Sequence, residues 1–246
     1  GDGRPREPLP VESRPVKSIS SASSWGPSIA AVILNRRSAQ RFDPGHVMKR
    51  ADFEGILLAT LPSGGPPWGV LMAAGRLQLL LYVHRVEGLV PGLYFLQRGD
   101  LVGESLLRAR EHPAVEVVGE YPGFSLWRLL ECDPVQLRRV ARSLHCHQDI
   151  TATSCFAVGM VTDLDEVLTA DPAAYRDLHR EAGLIGQVLY LQAEARGLQG
   201  TGIGCFFDEP VRDVAGLEGS GWRSLYHFTV GRGVPDPRIE TGPPYP

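Results

Sequence analysis

Lysine is nearly absent from this chain: of its 25 basic residues only Lys17 and Lys49 are lysines, and the rest are arginines. We read that as the codon bias of a GC-rich genome rather than as function. No run approaches the roughly 18 apolar residues of a membrane span, and the start Gly1-Asp2-Gly3-Arg4 lacks the charged-then-apolar pattern of a signal peptide. Cys132, Cys146, Cys155 and Cys205 show no C-x-x-C spacing, which argues against a zinc ribbon or a thioredoxin-like site. Four free thiols in a reducing, cytoplasmic compartment are therefore expected. The seven histidines show no H-x-x-x-H spacing, so no metal site is expected and a metal-dependent hydrolase has little support. No Ser-His-Asp arrangement can be argued from position alone, and a Rossmann fingerprint is missing. Strong charge is lacking too: the net charge of −3 argues against a generic nucleic-acid or anionic-membrane surface. A small anionic ligand in a local basic pocket suits this balance better than a polyanion.

The 246 residues, 43% hydrophobic and 22% charged, are enough for a sizeable core. Residues 1–27 carry Pro5, Pro8, Pro10, Pro15 and Pro27 and a Ser-rich run from Ser18 to Ser24. That composition reads as a flexible arm or linker, and with no initiator Met it suggests a chain that once followed another domain. Residues 28–246 read as one domain.

Pro27 is compatible with the first turn of a helix whose Ile29, Val32 and Ile33 form one buried face. Asn35-Arg36-Arg37-Ser38-Ala39-Gln40-Arg41-Phe42 follows it. Two guanidinium forks and a hydroxyl within three positions can converge on one dianionic group; a solvated basic helix end is the plain alternative. Phe53, Ile56, Leu57 and Leu58 mark a second helix, ending before the loop Pro62-Ser63-Gly64-Gly65-Pro66-Pro67. That loop has little side-chain bulk, so its amides could approach a ligand.

Residues 77–83 and 90–96 read as an antiparallel hairpin. Asp133-Pro134 and Asp171-Pro172 each read as a helix start, an N-cap residue before a proline suited to the first turn. The first helix carries Leu137, Val140, Ala141 and Leu144 and stops near His145; the second runs through Tyr175, Leu178 and Ala182 to Gly197. Gly183 and Gly186 leave it a small face, a sign of tight packing or of a close ligand. His145, Cys146 and His147, like His84 and His227, read as core or interface residues rather than ligands. Residues 155–161 and 225–231 read as strands. Gly200, Gly202 and Gly204, around Ile203, either open a strand or set bare backbone against a flat ring.

The arginine-serine stretch, the helix from Glu181-Ala182-Gly183 to Leu191-Gln192-Ala193 and the late Val230-Gly231 resemble, in order and spacing, the FMN-dependent nitroreductase superfamily over residues 28–240. Val86-Glu87-Gly88-Leu89-Val90-Pro91-Gly92-Leu93-Tyr94, Cys146-His147-Gln148 and Asp236-Pro237-Arg238 look most like its SagB-type branch, which includes azoline dehydrogenases. The resemblance implies an α+β nitroreductase-like fold, a central, mostly antiparallel sheet flanked by helices, and an intertwined homodimer with FMN at the interface. Arg36, Arg37 and Ser38 match positions at the FMN phosphate and ribityl chain, and Arg238 a late basic residue that closes on the phosphate. Pro62, Ser63, Gly64 and Gly65, with Gly202, Ile203 and Gly204, match loops along the isoalloxazine.

Two departures stand out. Gln40 occupies a position where the family carries arginine, and Thr169 and Ala170 stand where azoline dehydrogenases carry a Lys-Tyr pair for proton transfer. Neither can act as a general base near neutral pH. The implied activity is hydride transfer between FMN and a small organic or peptide-derived substrate, with NAD(P)H as a candidate donor and no catalytic residue assigned. The competing expectation is a non-catalytic, degenerate domain that completes a partner subunit or tandem half.

Overall fold

The computed structural model describes residues 27–71, 75–98, 100–110, 116–121, 124–240 and 242. The arm expected over 1–27 lies outside this set except for Pro27. Seven strands form a single sheet in the order β3-β4-β2-β1-β5-β7-β6: β1 Gln78–Val83, β2 Gly92–Gln97, β3 Glu116–Tyr121, β4 Phe124–Glu131, β5 Phe156–Asp163, β6 Gln199–Ile203 and β7 Trp222–Gly231. Every strand pair is antiparallel, as expected, and β1 and β2 form the expected hairpin with Val83 opposite Gly92. Helices flank the sheet: α1 Ile29–Asn35, α2 Arg50–Ala59, α3 Asp100–Ala109, α4 Pro134–Leu144, α5 Asp149–Thr153, α6 Leu164–Ala170, α7 Ala174–Glu194 and α8 Asp208–Val214.

A strand sends alternate side chains to opposite faces, so a sheet covered on both sides builds two cores. On one face Leu79, Leu81, Phe156 and Phe228 pack against Phe53 and Ile56 of α2 and Leu178, Ile185 and Leu189 of α7. On the other, Leu80, Tyr82, Leu93 and Phe95 pack against Leu137 and Leu144 of α4 and Val211 of α8. Central β1 is buried along its whole length, which explains its unbroken apolar run.

Capping logic holds at α4, where Asp133 Oδ1 accepts from the amides of Val135 and Gln136 at 3.0 Å. It fails at α7. Asp171 instead accepts from Ala173 N at 2.9 Å, a turn that delays the helix to Ala174. Tyr175, expected on the buried stripe, is exposed. At α1 the cap is Ser28, with Pro27 one residue before it. Only Val32 of α1 is buried, whereas Ile29 is 81% and Ile33 54% exposed, because the short helix touches α7 along one side alone.

Between α2 and β1, the segment that follows the expected glycine loop is latched to α7. Glu181, buried within α7, accepts from the amides of Gly75, Arg76 and Leu77 and pairs with Arg98 at 2.7 Å. Arg98 also donates to Thr60 O and Leu77 O, and its guanidinium lies 5.2 Å from the Trp68 ring centre. Burial pulls the Arg98 pKa down, and Glu181 offsets this.

Candidate functional site

The arginine-serine stretch leaves α1 and meets the glycine-rich strand β6. Ser38 bridges Gly200 in parallel, Ala39 N donates to Gly200 O at 3.1 Å, and Thr201 Oγ1 donates to Ala39 O at 2.7 Å. Tyr190 of α7 ties the two segments together. Its hydroxyl accepts from Gly202 N and shares a hydrogen bond with Ser38 Oγ, both at 2.9 Å. The Arg36 guanidinium lies 4.6 Å above the Tyr190 ring centre, a cation–π contact that fixes its direction. Arg37 turns the other way and donates to Leu34 O and Arg36 O.

Beside this knot is a cleft of about 400 Å³, lined among others by Arg37, Ser38, Gln40, Glu194, Arg232 and Asp236. Burial raises the Glu194 pKa and the charges of Arg36 and Arg37 lower it, so this carboxylate belongs to the same electrostatic site. A second hollow of about 230 Å³ shares Tyr190 with the knot and is lined by His179, Gly183, Gly186, Gln187 and Tyr226. The small face of α7 is therefore an open hollow. A Cβ on Gly183 would meet nothing within 4 Å, whereas one on Gly186 would come within 3.2 Å of Tyr226 Cε1.

The structure thus brings Arg37, Ser38 and Gln40 to one cleft, while Arg36 and Gly202, which are not among its lining residues, are joined to Ser38 through Tyr190. Gly200 and Gly202 are bare for their own sheet neighbours, since a Cβ would strike Phe228 at Gly200 and Tyr226 at Gly202. Ile203 has its side chain buried, which leaves its backbone as the part able to meet a ligand. Gly204 is exposed with open space where its Cβ would be. Pro62, Ser63, Gly64 and Gly65 line neither hollow, and Gly64 and Gly65 face open space. The Arg238 side chain is 86% exposed and already held by Asp236, with Nε to Oδ1 at 2.9 Å, Nη2 to Oδ2 at 2.6 Å and the Arg238 backbone N–H to Oδ1 at 3.0 Å among its bonds. Those bonds hold Asp236 down to about 2. Thr169 and Ala170 end α6, exposed.

Sequence reasoning gave no site role to Tyr190, Tyr226, Arg232, Glu194 or Asp236, although Asp236 stands in a motif it had singled out. A signal existed for Tyr190, because Gly183, Gly186 and Tyr190 recur at helical spacing and share one face. Arg37, Ser38 and Arg232, residue types suited to the phosphate end of a flavin mononucleotide, line one cleft, and Gln40 lines it as well.

The thiol expectation needs correcting. Cys146 and Cys205 form a disulfide, leaving Cys132 and Cys155 as free cysteines. Cys146 and His147 both have positive φ, 52° and 59°, which swings the chain back after α4 toward the segment following β6. Sequence spacing hides the pair because 59 residues separate its members. His145 and His227 are core residues, as expected. Ser224 Oγ meets His227 Nε2 at 2.6 Å, His227 Nδ1 meets His145 Nε2 at 2.6 Å, and His145 Nδ1 meets Ala141 O at 2.5 Å. All four ring nitrogens are used.

No helix among the described residues is long and apolar enough to cross a membrane. Among solved structures, an Anabaena variabilis protein described as a nitroreductase is 21% identical with a TM-score of 0.66; the match covers 84% of this chain but only 38% of that one. The Escherichia coli microcin synthetase McbBCD complex, with truncated pro-MccB17 bound, matches at 16% identity and a TM-score of 0.58, over 92% of this chain and 79% of that one. The NADPH:FMN oxidoreductase of Vibrio harveyi, complexed with NAD+, matches at 14% identity and a TM-score of 0.51, over 88% and 74%. At these identities the likeness is one of fold. No curated protein matches in sequence. The model of the nitroreductase family, however, matches residues 102–232, more than half of the 246 residues, and the chain belongs to that family.

Proposed function

We propose that the protein is an FMN-dependent oxidoreductase of the SagB-type branch, moving a hydride between flavin and a small organic or peptide-derived substrate, with NAD(P)H as candidate donor. One observation carries this reading: Tyr190 bonds to both Ser38 and Gly202, and Ser38 shares a cleft with Arg37 and Arg232. Phosphate is the group that a hydroxyl and paired guanidinium forks are suited to hold. When bound, FMN would supply hydride exchange at its N5.

The chain's own residues supply the rest. Arg36, Arg37 and Arg232 would provide positive charge for the phosphate, and Glu194 would limit how much of it is felt. Gln40 offers an amide donor without charge, so it would stabilise a reduced, anionic ring less than arginine would and lower the flavin potential. Gly183 and Gly186 leave the hollow beside Tyr190 open to a flat group, and the apolar residues Ile29 and Ile33 of α1 would find cover in a homodimer. The cytoplasm is the proposed location, with the Cys146–Cys205 disulfide an exception to its reduced thiols.

A second reading has an observation of its own: Asp236 already occupies the fork of Arg238, and Glu194 adds a further carboxylate to the cleft. Both suit a domain whose flavin grip has decayed and which completes a partner. The absorption spectrum of purified protein separates the two. Bands near ~370 and ~450 nm, with FMN released on denaturation, are expected for the enzyme; a colourless protein that takes up no added FMN would refute it.

A further inference from the structure

A hollow of about 450 Å³ opens between α4, α5 and the turn at Pro44, and it shares no lining residue with the flavin cleft or with the hollow beside Tyr190. Its α4 wall is Val135, Arg138, Arg139 and Arg142. That spacing, i, i+3, i+4 and i+7, places all four on one face of the helix, away from the buried stripe of Leu137, Ala141 and Leu144. Arg85, which follows β1, adds a fourth guanidinium, and among the described residues no carboxylate lines the hollow.

The contacts show where these forks lie. Arg85 donates to His46 O at 3.2 Å, to Ser154 O at 2.8 Å and to the carbonyl of Thr153, itself a lining residue. Arg142 Nε reaches from α4 to Asp149 at the start of α5, at 2.5 Å. Burial lowers the pKa of Arg85 and of neighbouring His84, and the Arg138 charge lowers both further, so Arg138 lies on the side of α4 that Arg85 feels.

This positive charge is poorly compensated. Carbonyls satisfy the donors of Arg85 without neutralising it. Arg138 and Arg139 make no ion pair or hydrogen bond among the described residues. The opposing groups are Asp149 on Arg142, and Asp43 and the Cys155 thiol acting on Arg85. Like charges one helical turn apart destabilise a helix, while a cleft walled by one sign concentrates the opposite charge.

We propose that this hollow is an anion site, separate from the flavin cleft, for a small phosphate monoester whose phosphate meets Arg138, Arg139 and Arg142 and whose apolar body rests on Val135, Ala152 and Pro44. The three α4 forks span only about 6 Å of helix axis, which suits one group rather than an extended acidic chain.

The test is isothermal titration of the full chain with phenyl phosphate, with phenol as the uncharged comparator. Saturable binding is expected for phenyl phosphate alone. Arg138→Gln combined with Arg139→Gln should weaken it by about tenfold or more, the loss of at least one charge-assisted hydrogen bond. The melting temperature of that variant should be unchanged or higher, because neither side chain has a partner to lose and repulsion at Arg85 is relieved. Ala152→Glu, which sets a carboxylate in the hollow, should weaken binding with every arginine intact. Arg108→Gln combined with Arg180→Gln removes the same net charge from exposed positions on other helices and should change affinity by less than about twofold, since solvent screens such charges. Binding that is indifferent to the α4 pair but lost in Arg36→Ala with Arg37→Ala would assign the probe to the flavin cleft and overturn the proposal. So would absence of saturable binding, equal loss in the α4 and control pairs, or tighter binding of a hexaglutamate peptide to the same arginines.

Discussion

Arg98 and Glu181 meet at 2.7 Å with both side chains shut away from water, and between them they bond to Thr60 O and to the backbone of Gly75, Arg76 and Leu77. Removing one member strands the other as a buried, unpaired charge. Glu181→Gln should therefore destabilise the protein by about 3–5 kcal/mol, measured by urea unfolding. Tryptophan emission should also change, because Trp68 sits against the Arg98 guanidinium. A loss below ~1 kcal/mol would show that the latch is dispensable.

Tyr190 makes the next prediction. Tyr190→Phe keeps the ring under Arg36 and its edge contact with Phe228 but removes the bonds to Ser38 and Gly202. FMN affinity, read from quenching of flavin fluorescence, should fall about tenfold, the equivalent of ~1.4 kcal/mol. Arg36→Ala combined with Arg37→Ala should release the flavin with the fold largely intact by circular dichroism. Flavin retained at wild-type affinity in the double variant would remove the phosphate assignment.

Gln40→Arg tests the missing charge. On the proposed reading a guanidinium at this position stabilises the reduced flavin, and the midpoint potential should rise by roughly 30 mV for each ~1.4 kcal/mol gained in the two-electron couple. Spectroelectrochemical titration measures it. An unchanged or lower potential would place Gln40 away from the flavin ring.

Acid should act through the buried histidines. Burial lowers the pKa of His145, His227 and His84, the last to about 3 with help from Arg85. The unfolded chain binds these protons near pH 6.5 and the folded chain only at lower pH, so the stability they confer is complete above about 6.5 and drains as pH falls. Each contributes a slope of at most ~1.4 kcal/mol per pH unit in that range. Denaturant midpoints at pH 7.5, 6.5 and 5.5 should fall slightly across the first step and more steeply across the second. A flat profile to pH 5 would mean that these rings charge without cost.

The Cys146–Cys205 bond makes a counting prediction. Protein denatured without reductant should show two reactive thiols, Cys132 and Cys155, and reduction should cost about 4 kcal/mol in the loop-entropy account, given the separation of 59 residues. Four reactive thiols before reduction would restore the reading of a chain that keeps its cysteines reduced.

The sheet was legible wherever the pattern was local. The run at β1, the turn before β2 and the Asp133-Pro134 start of α4 each declare themselves within a few residues. The stretch forming α3, β3 and β4 was not read, because Phe124–Glu131 mixes buried with half-buried positions on a strand near the sheet edge. Ile29 and Ile33 misled for a different reason: periodicity shows which face is apolar, not whether one chain can cover it. At the site, the arginines and serine were visible as a cluster. Arg232 and the Cys146–Cys205 pairing were not, since each depends on segments far apart in sequence coming together.

The pairing of Ser38 with Gly200 also has a meaning in time. A ribosome delivers α1 and its arginines early, yet their partner Thr201 lies 162 residues after Ala39. At about 5–20 residues per second, the wait is on the order of ten seconds, during which Ser38 and Ala39 have no native strand beside them. Contacts of such long range also slow refolding, because the loop must close before it is rewarded. A nascent chain halted before β6 would carry the arginines and the serine with no wall to set them against.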